Sequence, residues 1–136
     1  MNRVWLEDLG RLTLRLAIGG MMLLHGLNKL SHGVTGIANK LAARGVPTFV
    51  SLGVYVGEVL APMLLLIGIA TRPSGAVLAF NMVIAIWMSH MADITRRAAT
   101  GGWGIEVPML YMLGGIAIAC LGAGRFSLSR GKGRFD

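Results

Sequence analysis

Four long apolar stretches, separated by short polar connections, dominate the chain. They cover about residues 9–30, 47–70, 73–91 and 106–121. A helix of about 20 residues is needed to cross a hydrocarbon layer of about 30 Å, and a backbone inside lipid must satisfy its own hydrogen bonds. The pattern therefore predicts an all-α integral membrane protein built as a bundle of four transmembrane helices.

A shorter segment, SHGVTGIANKLAARGVP (residues 31–47), separates the first two spans. Ile37 and Leu41 are four residues apart and so lie on one side of a helix. Thr35 is placed to cap the helix start, and Gly45 followed by Pro47 is typical of a helix end. We therefore expect a short amphipathic helix that lies on the membrane surface.

Composition and charge agree with a membrane protein. Charged residues make up 14% of the chain, against about 25% in soluble domains. Of the 13 Lys and Arg residues, eight fall on the side that would carry both termini. This bias predicts a multi-pass protein of the cell inner membrane with both termini cytoplasmic. It also accounts for the net charge of +7 without a nucleic-acid partner.

The length of 136 residues leaves room for one membrane domain. We assign residues 1–130 to it and residues 131–136 to a basic tail, and we expect the chain to be loose from Ser129 onward. The single Cys120 rules out a disulfide within the chain.

Six of the polar side chains in the predicted spans lie toward one end of each span. Successive spans run in opposite directions, so all six fall between the bilayer midplane and the same surface. They are His25, Lys29, Tyr55, Glu58, His90 and Glu106. The sequence therefore predicts a polar pocket in the outer half of the bundle.

Glu58 is the most informative of these residues. A charged carboxylate near the bilayer centre costs at least about 2.5 kcal/mol, so Glu58 must be protonated, ion-paired or in contact with water. We expect Arg15 to be a supporting ion-pair partner, with His25 and Lys29 as the other candidates. Two interpretations stay open: a ligand or proton site, or an ion pair that only holds helices together.

The other polar residues also have structural alternatives. Lys29 can extend to the interface, and Glu106 can stabilise the first turn of a helix. His25 and Lys29 follow the spacing of a buried helix face. Asn81 lies about 180° from His90 on a helical wheel, so we expect it to bond another helix outside the pocket.

No metal site is predicted, because the histidines and acids lack local ligand spacing such as HExxH. The chain also shows no nucleophile pattern, phosphate loop or haem motif. The chemistry is therefore expected to depend on a small bound ligand and not on a metal.

The ordered set of motifs resembles the DoxX family of small four-helix membrane proteins. The motifs are HGLNKL from residue 25, GEVLAPMLLLIGIATRPSGAVLAFNM from residue 57, a histidine at residue 90, and GAGRFSLSR from residue 122. The positions that the resemblance marks are His25, Gly26, Lys29, Glu58, Gly68, Arg72 and His90. It implies a subunit or partner of quinone-linked oxidoreductases.

We therefore expect an accessory membrane subunit of a quinone-linked redox system, not catalytic alone, with no covalent cofactor. His25 and Lys29 would bind the oxygen of a quinone or similar ligand, and Glu58 would carry a proton because loss of water disfavours its charged form. His90 and Glu106 would line the mouth. The expected partners are membrane lipid, an oxidoreductase and a second copy of the chain.

Two alternatives stay open beside this expectation. One is a non-catalytic scaffold or assembly partner for an oxidoreductase. The other is a transporter of protons or a small solute, which four spans without a repeat or a broken helix disfavour.

Overall fold

Five helices form the described part of the protein. The structure is a computed structural model that describes residues 3–99 and 101–136, so residues 1, 2 and 100 of the predicted domain lie outside the described residues. In chain order the helices are α1 (Arg3–His32), α2 (Thr35–Ala42), α3 (Thr48–Ile67), α4 (Thr71–Asp93) and α5 (Glu106–Leu121). The all-helical prediction is confirmed for these residues.

Two helices are long and apolar enough to cross a membrane by length and composition. They are α3 and α4, whose mean hydropathies are 2.0 and 1.6. Helix α5 is apolar but has only 16 residues, and the first half of α1 carries Glu7, Asp8, Arg11 and Arg15. The number of crossings, four in the prediction, is therefore not established by the helices themselves.

The helices enclose a small apolar core. Its buried members come from α1, α3, α4 and α5; they are Ile18, Met22, Leu65, Leu78, Met82, Tyr111 and Ile118. The opposite faces expose large apolar side chains, such as Leu24 (67% exposed), Phe80 (66%) and Leu110 (59%). Many exposed large apolar side chains are expected where lipid covers a protein.

Helix α3 contains a π segment at Val56–Leu60, in which the Ala61 N–H donates to the carbonyl of Val56. Pro62 is the local cause, since proline has no N–H to donate to the residue four positions earlier and its ring clashes with that carbonyl. That residue is Glu58. The distortion therefore falls on the buried carboxylate.

A second π segment, Ile86–His90, interrupts α4. In an unbroken α-helix the nine steps of about 100° from Asn81 to His90 leave the two side chains about 180° apart. A π turn holds one extra residue, which reduces the separation to about 80°. Both residues line one cavity, so the prediction that they cannot share a site is wrong.

Helix α2 lies between α1 and α3 along the chain, as predicted. Its N-cap position is Val34, and no side chain caps it, so the prediction that Thr35 caps this helix is wrong. Lys40 donates to Ser89 Oγ at 2.9 Å, and Arg44 donates to the Met88 carbonyl at 3.0 Å. These two bonds hold α2 against the end of α4.

Arg15 closes the other end of α3. Its guanidinium donates to the carbonyls of Leu65 (2.8 Å), Leu66 (3.2 Å), Ala123 (2.8 Å) and Phe126 (3.0 Å). The last carbonyls of a helix have no partner within it and attract a cation. The prediction that Arg15 pairs with Glu58 is therefore wrong.

The tail is held against the same end of the bundle. The Leu128 N–H donates to the Ile67 carbonyl at 3.1 Å, and the Thr71 N–H donates to the Asp136 carboxylate at 3.1 Å. The prediction of a loose chain from Ser129 is wrong, because the open carbonyls and N–H groups of the helix ends provide partners.

Candidate ligand-binding site

Glu58 is the centre of the site. Its side chain is 4% exposed and accepts a hydrogen bond from Lys29 Nζ at 2.5 Å, which makes an ion pair between α3 and α1. Asn81 Nδ2, on α4, donates to the same oxygen, Oε1, at 3.3 Å. The other oxygen, Oε2, is buried and has no hydrogen-bond partner among the described residues.

Two glycines make this arrangement sterically feasible. A Cβ at Gly26 would clash with the main-chain carbonyl of Glu58, and a Cβ at Gly57 would lie 2.5 Å from Cγ of Asn81. Without side chains at these positions, α1 and Asn81 come close to the π segment of α3. Lys29, one turn after Gly26, then lies beside the carboxylate.

Two cavities lie on either side of the Lys29–Glu58 pair. The α5-side cavity, about 170 Å³, lies between α1, α3, α4 and α5. The α2-side cavity, about 250 Å³, is also lined by Ile37 of α2. Lys29, Glu58 and His90 line both cavities.

An apolar groove continues from the α2-side cavity. It has a volume of about 500 Å³ and lies between α3 and α4 beneath α2. Val54, Asn81 and Ile84 line both the groove and the α2-side cavity. A polar end and an apolar extension are therefore adjacent, which suits a ligand with a polar head and an apolar tail.

The structure brings four of the six predicted pocket residues together. His25, Lys29, Glu58 and His90 all line the α5-side cavity. His25 packs edge-on against Tyr111, with ring centroids 5.9 Å apart. The rest of its side chain is exposed, because the adjacent Gly26, and not His25, lies on the buried face of α1.

The two remaining residues lie at the edge of the site. The Tyr55 hydroxyl donates to the Lys29 carbonyl at 3.3 Å and so joins α3 to the end of α1. Glu106 is exposed at the start of α5; the neighbouring Val107 and Pro108, not Glu106, line the α5-side cavity. His90 also contacts Asp93 at 3.3 Å.

Asn81 bonds another helix, as predicted, but its partner is Glu58, so it belongs to the site and does not lie outside it. The cause is the π segment Ile86–His90 of α4, which no proline or glycine within that segment signals in the sequence. The positions marked by the resemblance divide into two groups. Gly26 supports the site, whereas Gly68 and Arg72 belong to the opposite end, where Arg72 donates to the carbonyls of Ala119 and Cys120 at 3.0 and 2.7 Å.

Metal-ligand chemistry finds no support in the geometry. Within residues 3–99 and 101–136, no three His, Cys, Asp or Glu side chains form a group that could hold an ion. The polar groups that line the two cavities are one ammonium, one carboxylate, one amide, two imidazoles and the hydroxyls of Ser89 and Tyr111. Such groups bind and protonate the oxygen of an organic ligand.

Two known proteins are similar in sequence to this chain. A Bacillus subtilis (strain 168) protein named "Putative oxidoreductase CatD" is 30% identical to this chain over 79 residues. The match covers 58% of this chain and 58% of CatD, which is little more than half of that relative. A Haemophilus influenzae protein, named only as uncharacterized, is 29% identical over 118 residues, or 85% of this chain and 84% of its own length. No solved structure matches the chain.

The family model of DoxX matches residues 10–91, which contain α2, α3 and most of α1 and α4. This region holds every polar residue that contacts Glu58. With the apolar outer surface and the two long apolar helices, the match confirms the resemblance seen in the sequence: the chain is a membrane protein that belongs to the DoxX family.

Proposed function

We propose that this protein is an accessory membrane subunit of a redox system and binds a quinone or a similar amphipathic ligand. The polar head would lie at Lys29, Glu58 and His90, and the apolar tail would lie in the groove between α3 and α4. The observation that carries this proposal is the unpartnered, buried Oε2 of Glu58 beside two cavities and an apolar groove.

The energetics favour a ligand over an unfilled structural pair. A buried carboxylate oxygen without a partner costs about 1–3 kcal/mol or more, and a hydrogen bond from a ligand hydroxyl to that oxygen would remove the cost. The groove volume of about 500 Å³ falls in the range of about 300–1,000 Å³ that small-molecule sites occupy. Both π segments lie at this site, and such segments are frequent at functional sites.

The residues would have distinct roles. Lys29 would donate a hydrogen bond to a ligand carbonyl, and Glu58 would exchange a proton with the ligand. Asn81 would orient the carboxylate through Oε1. A quinone supplies electron-accepting chemistry when it is bound; the contribution of this chain would be to bind it, orient it and move a proton.

Family membership and the name of CatD support the redox context. In this proposal α1, α3, α4 and α5 all cross the inner membrane, with both termini cytoplasmic. The polar site then lies in the outer half of the bundle. An oxidoreductase would supply the electrons, and a second copy of the chain is a further candidate partner.

Quinone titration of the purified, detergent-solubilised chain tests the proposal. Trp87 lines the groove, so quenching of tryptophan fluorescence by decylubiquinone reports binding. We expect Glu58→Gln to weaken binding about ten-fold, since a hydrogen bond to a charged group contributes about 1.5–3 kcal/mol. Glu106→Gln, which changes an exposed carboxylate outside both cavities, should bind like the wild type.

A second function, a scaffold in which the polar cluster only joins the helices, is favoured by one observation. The Lys29–Glu58–Asn81 bonds connect α1, α3 and α4 without any ligand. In that case Glu58→Gln would lower the melting temperature while the quinone affinity stayed equal in all three proteins. That result would reject the ligand site.

A further inference from the structure

A further polar cavity lies at the end of the bundle opposite Glu58. It has a volume of about 480 Å³ and is formed by the start of α1 and the segment that follows α5. Its lining residues are Trp5, Asp8, Arg125, Phe126, Arg130 and Lys132. None of them contacts the quinone site proposed above, so this cavity needs its own explanation.

The cavity has an excess of positive charge. Its one acid, Asp8, is 3% exposed and is already neutralised, since Arg11 donates to Oδ1 at 2.9 Å and the Arg125 N–H donates at 3.3 Å. The side chains of Arg125, Arg130 and Lys132 form no ion pair with a carboxylate in the described part of the chain. Three cations therefore lack a counter-charge.

Aromatic side chains border these cations. Trp5 and Phe126 pack edge to face with ring centroids 5.9 Å apart, yet they are 44% and 39% exposed, and the neighbouring Leu128 is 71% exposed. Aromatic side chains that contact water on one side and apolar atoms on the other are typical of the membrane interface, where the lipid headgroups meet the hydrocarbon.

Hydrogen bonds fix the segment that carries the cations. Leu128 donates its N–H to the Ile67 carbonyl at 3.1 Å, and Ser127 Oγ donates to the Gly124 carbonyl at 2.6 Å. The basic residues are therefore held around one cavity and are not spread along a disordered tail. That arrangement suits one ligand bound at a fixed position better than a diffuse layer of counter-ions.

We propose that this cavity binds the headgroup of an anionic phospholipid, with the phosphodiester between Arg125, Arg130 and Lys132. The acyl chains would lie against Trp5, Phe126 and Leu128. A guanidinium group can donate two parallel hydrogen bonds to the oxygens of one phosphate. Cationic side chains near an anionic membrane leaflet also attract its lipids. The bound lipid would orient this end of the bundle at the membrane surface.

Native mass spectrometry of the full detergent-solubilised chain tests the proposal. Phosphatidylglycerol is titrated against phosphatidylcholine of the same acyl chains, with inorganic phosphate in a third arm. The test variant is Arg130→Gln/Lys132→Gln, and the matched control is Arg96→Gln/Arg97→Gln, which removes the same charge from the α4–α5 loop. All four side chains are exposed, so both variants should fold.

We expect the wild type and the loop control to retain phosphatidylglycerol over phosphatidylcholine. Arg130→Gln/Lys132→Gln should bind it about thirty-fold more weakly, at about five-fold for each cation. Equal affinity in the test variant and the wild type would overturn the proposal. So would equal binding of the two lipids, or displacement by inorganic phosphate at the same concentration, which would indicate a free-phosphate site.

As a second readout, phosphatidylglycerol with brominated acyl chains should quench the fluorescence of Trp5, measured as the difference between the wild type and Trp5→Phe. The same comparison is then made with Arg125→Gln present in both proteins. If adding Trp5→Phe no longer changes the quenching there, the result supports a headgroup bound beside Trp5 and Arg125. Quenching of Trp5 that is equally strong with brominated phosphatidylcholine would count against it.

Discussion

Replacing Gly26 with alanine is the most direct test of how α1 and α3 pack at the site. A Cβ there would lie 2.6 Å from the carbonyl carbon of Glu58 and 2.7 Å from Cγ2 of Val59. Ordinary contact begins near 3.4 Å and the Glu58 carbonyl oxygen lies closer still, so the two helices must separate by more than about 0.8 Å. Because the nearest atoms belong to the α3 backbone, a change of side-chain rotamer cannot relieve the clash.

The expected cost follows from this separation. Inserting a methyl group into a packed interface costs about 1–3 kcal/mol, and a gap of about 0.5–1 Å removes a quarter to a half of the dispersion energy of the facing atoms. Alanine returns up to about 1 kcal/mol through its higher helix propensity. We therefore expect Gly26→Ala to destabilise the protein by about 1–2 kcal/mol.

Ligand binding should change as well. The Lys29–Glu58 ion pair, 2.5 Å long, spans the interface that Gly26→Ala opens. The proposed ligand site would lose its geometry, so the affinity for decylubiquinone should fall together with the stability.

Gly20→Ala is the matched control on the same helix, since a Cβ at Gly20 has no atom within 4 Å. It should leave the stability unchanged or raise it by up to about 1 kcal/mol. Thermal unfolding in detergent, followed by circular dichroism, compares the two variants. If Gly26→Ala melts at the same temperature as Gly20→Ala, then α1 and α3 do not approach each other as described.

Two further substitutions test the two ends of the bundle. Arg15→Leu leaves four main-chain carbonyls without their donor, so the free energy of unfolding in denaturant should fall by about 3 kcal/mol or more. Arg3 is exposed, so Arg3→Leu should change the free energy of unfolding by no more than about 0.5 kcal/mol. Equal unfolding curves for the two variants would contradict the role of Arg15. Gly57→Ala should displace Asn81 from Glu58 and weaken decylubiquinone binding several-fold. Gly20→Ala, whose Cβ has no atom within 4 Å and lies outside the groove, should not weaken it; identical titrations would show that Asn81 is not needed.

The helices were predictable because lipid-facing helices need long apolar runs, and those runs are visible in the sequence. The predicted last span and α5 share the same bounds, Glu106–Leu121. The choice of Lys29 among three candidate partners for Glu58 was not predictable. Depth along a helix follows from counting residues, but a contact of 2.5 Å depends on where α1 crosses α3, which Gly26 decides.

Two of the errors have separate physical causes. The helical wheel that separated Asn81 from His90 assumes 3.6 residues in every turn, and the π segment Ile86–His90 breaks that assumption. Likewise, assigning Arg15 to Glu58 considered only charge. The unpaired carbonyls at the end of α3 competed for the guanidinium, and they lie nearer to it.

The sequence by itself therefore determined the family, through its motifs, and the helical class, because long apolar runs depend on residue type alone. Only the tertiary structure decided which polar atoms meet. It placed Lys29 and Asn81 on one oxygen of Glu58, left the other oxygen without a partner, and extended the site into an apolar groove. Such contacts depend on local helix distortions and on the absence of side chains at Gly26 and Gly57, whose effects appear only when two helices pack together.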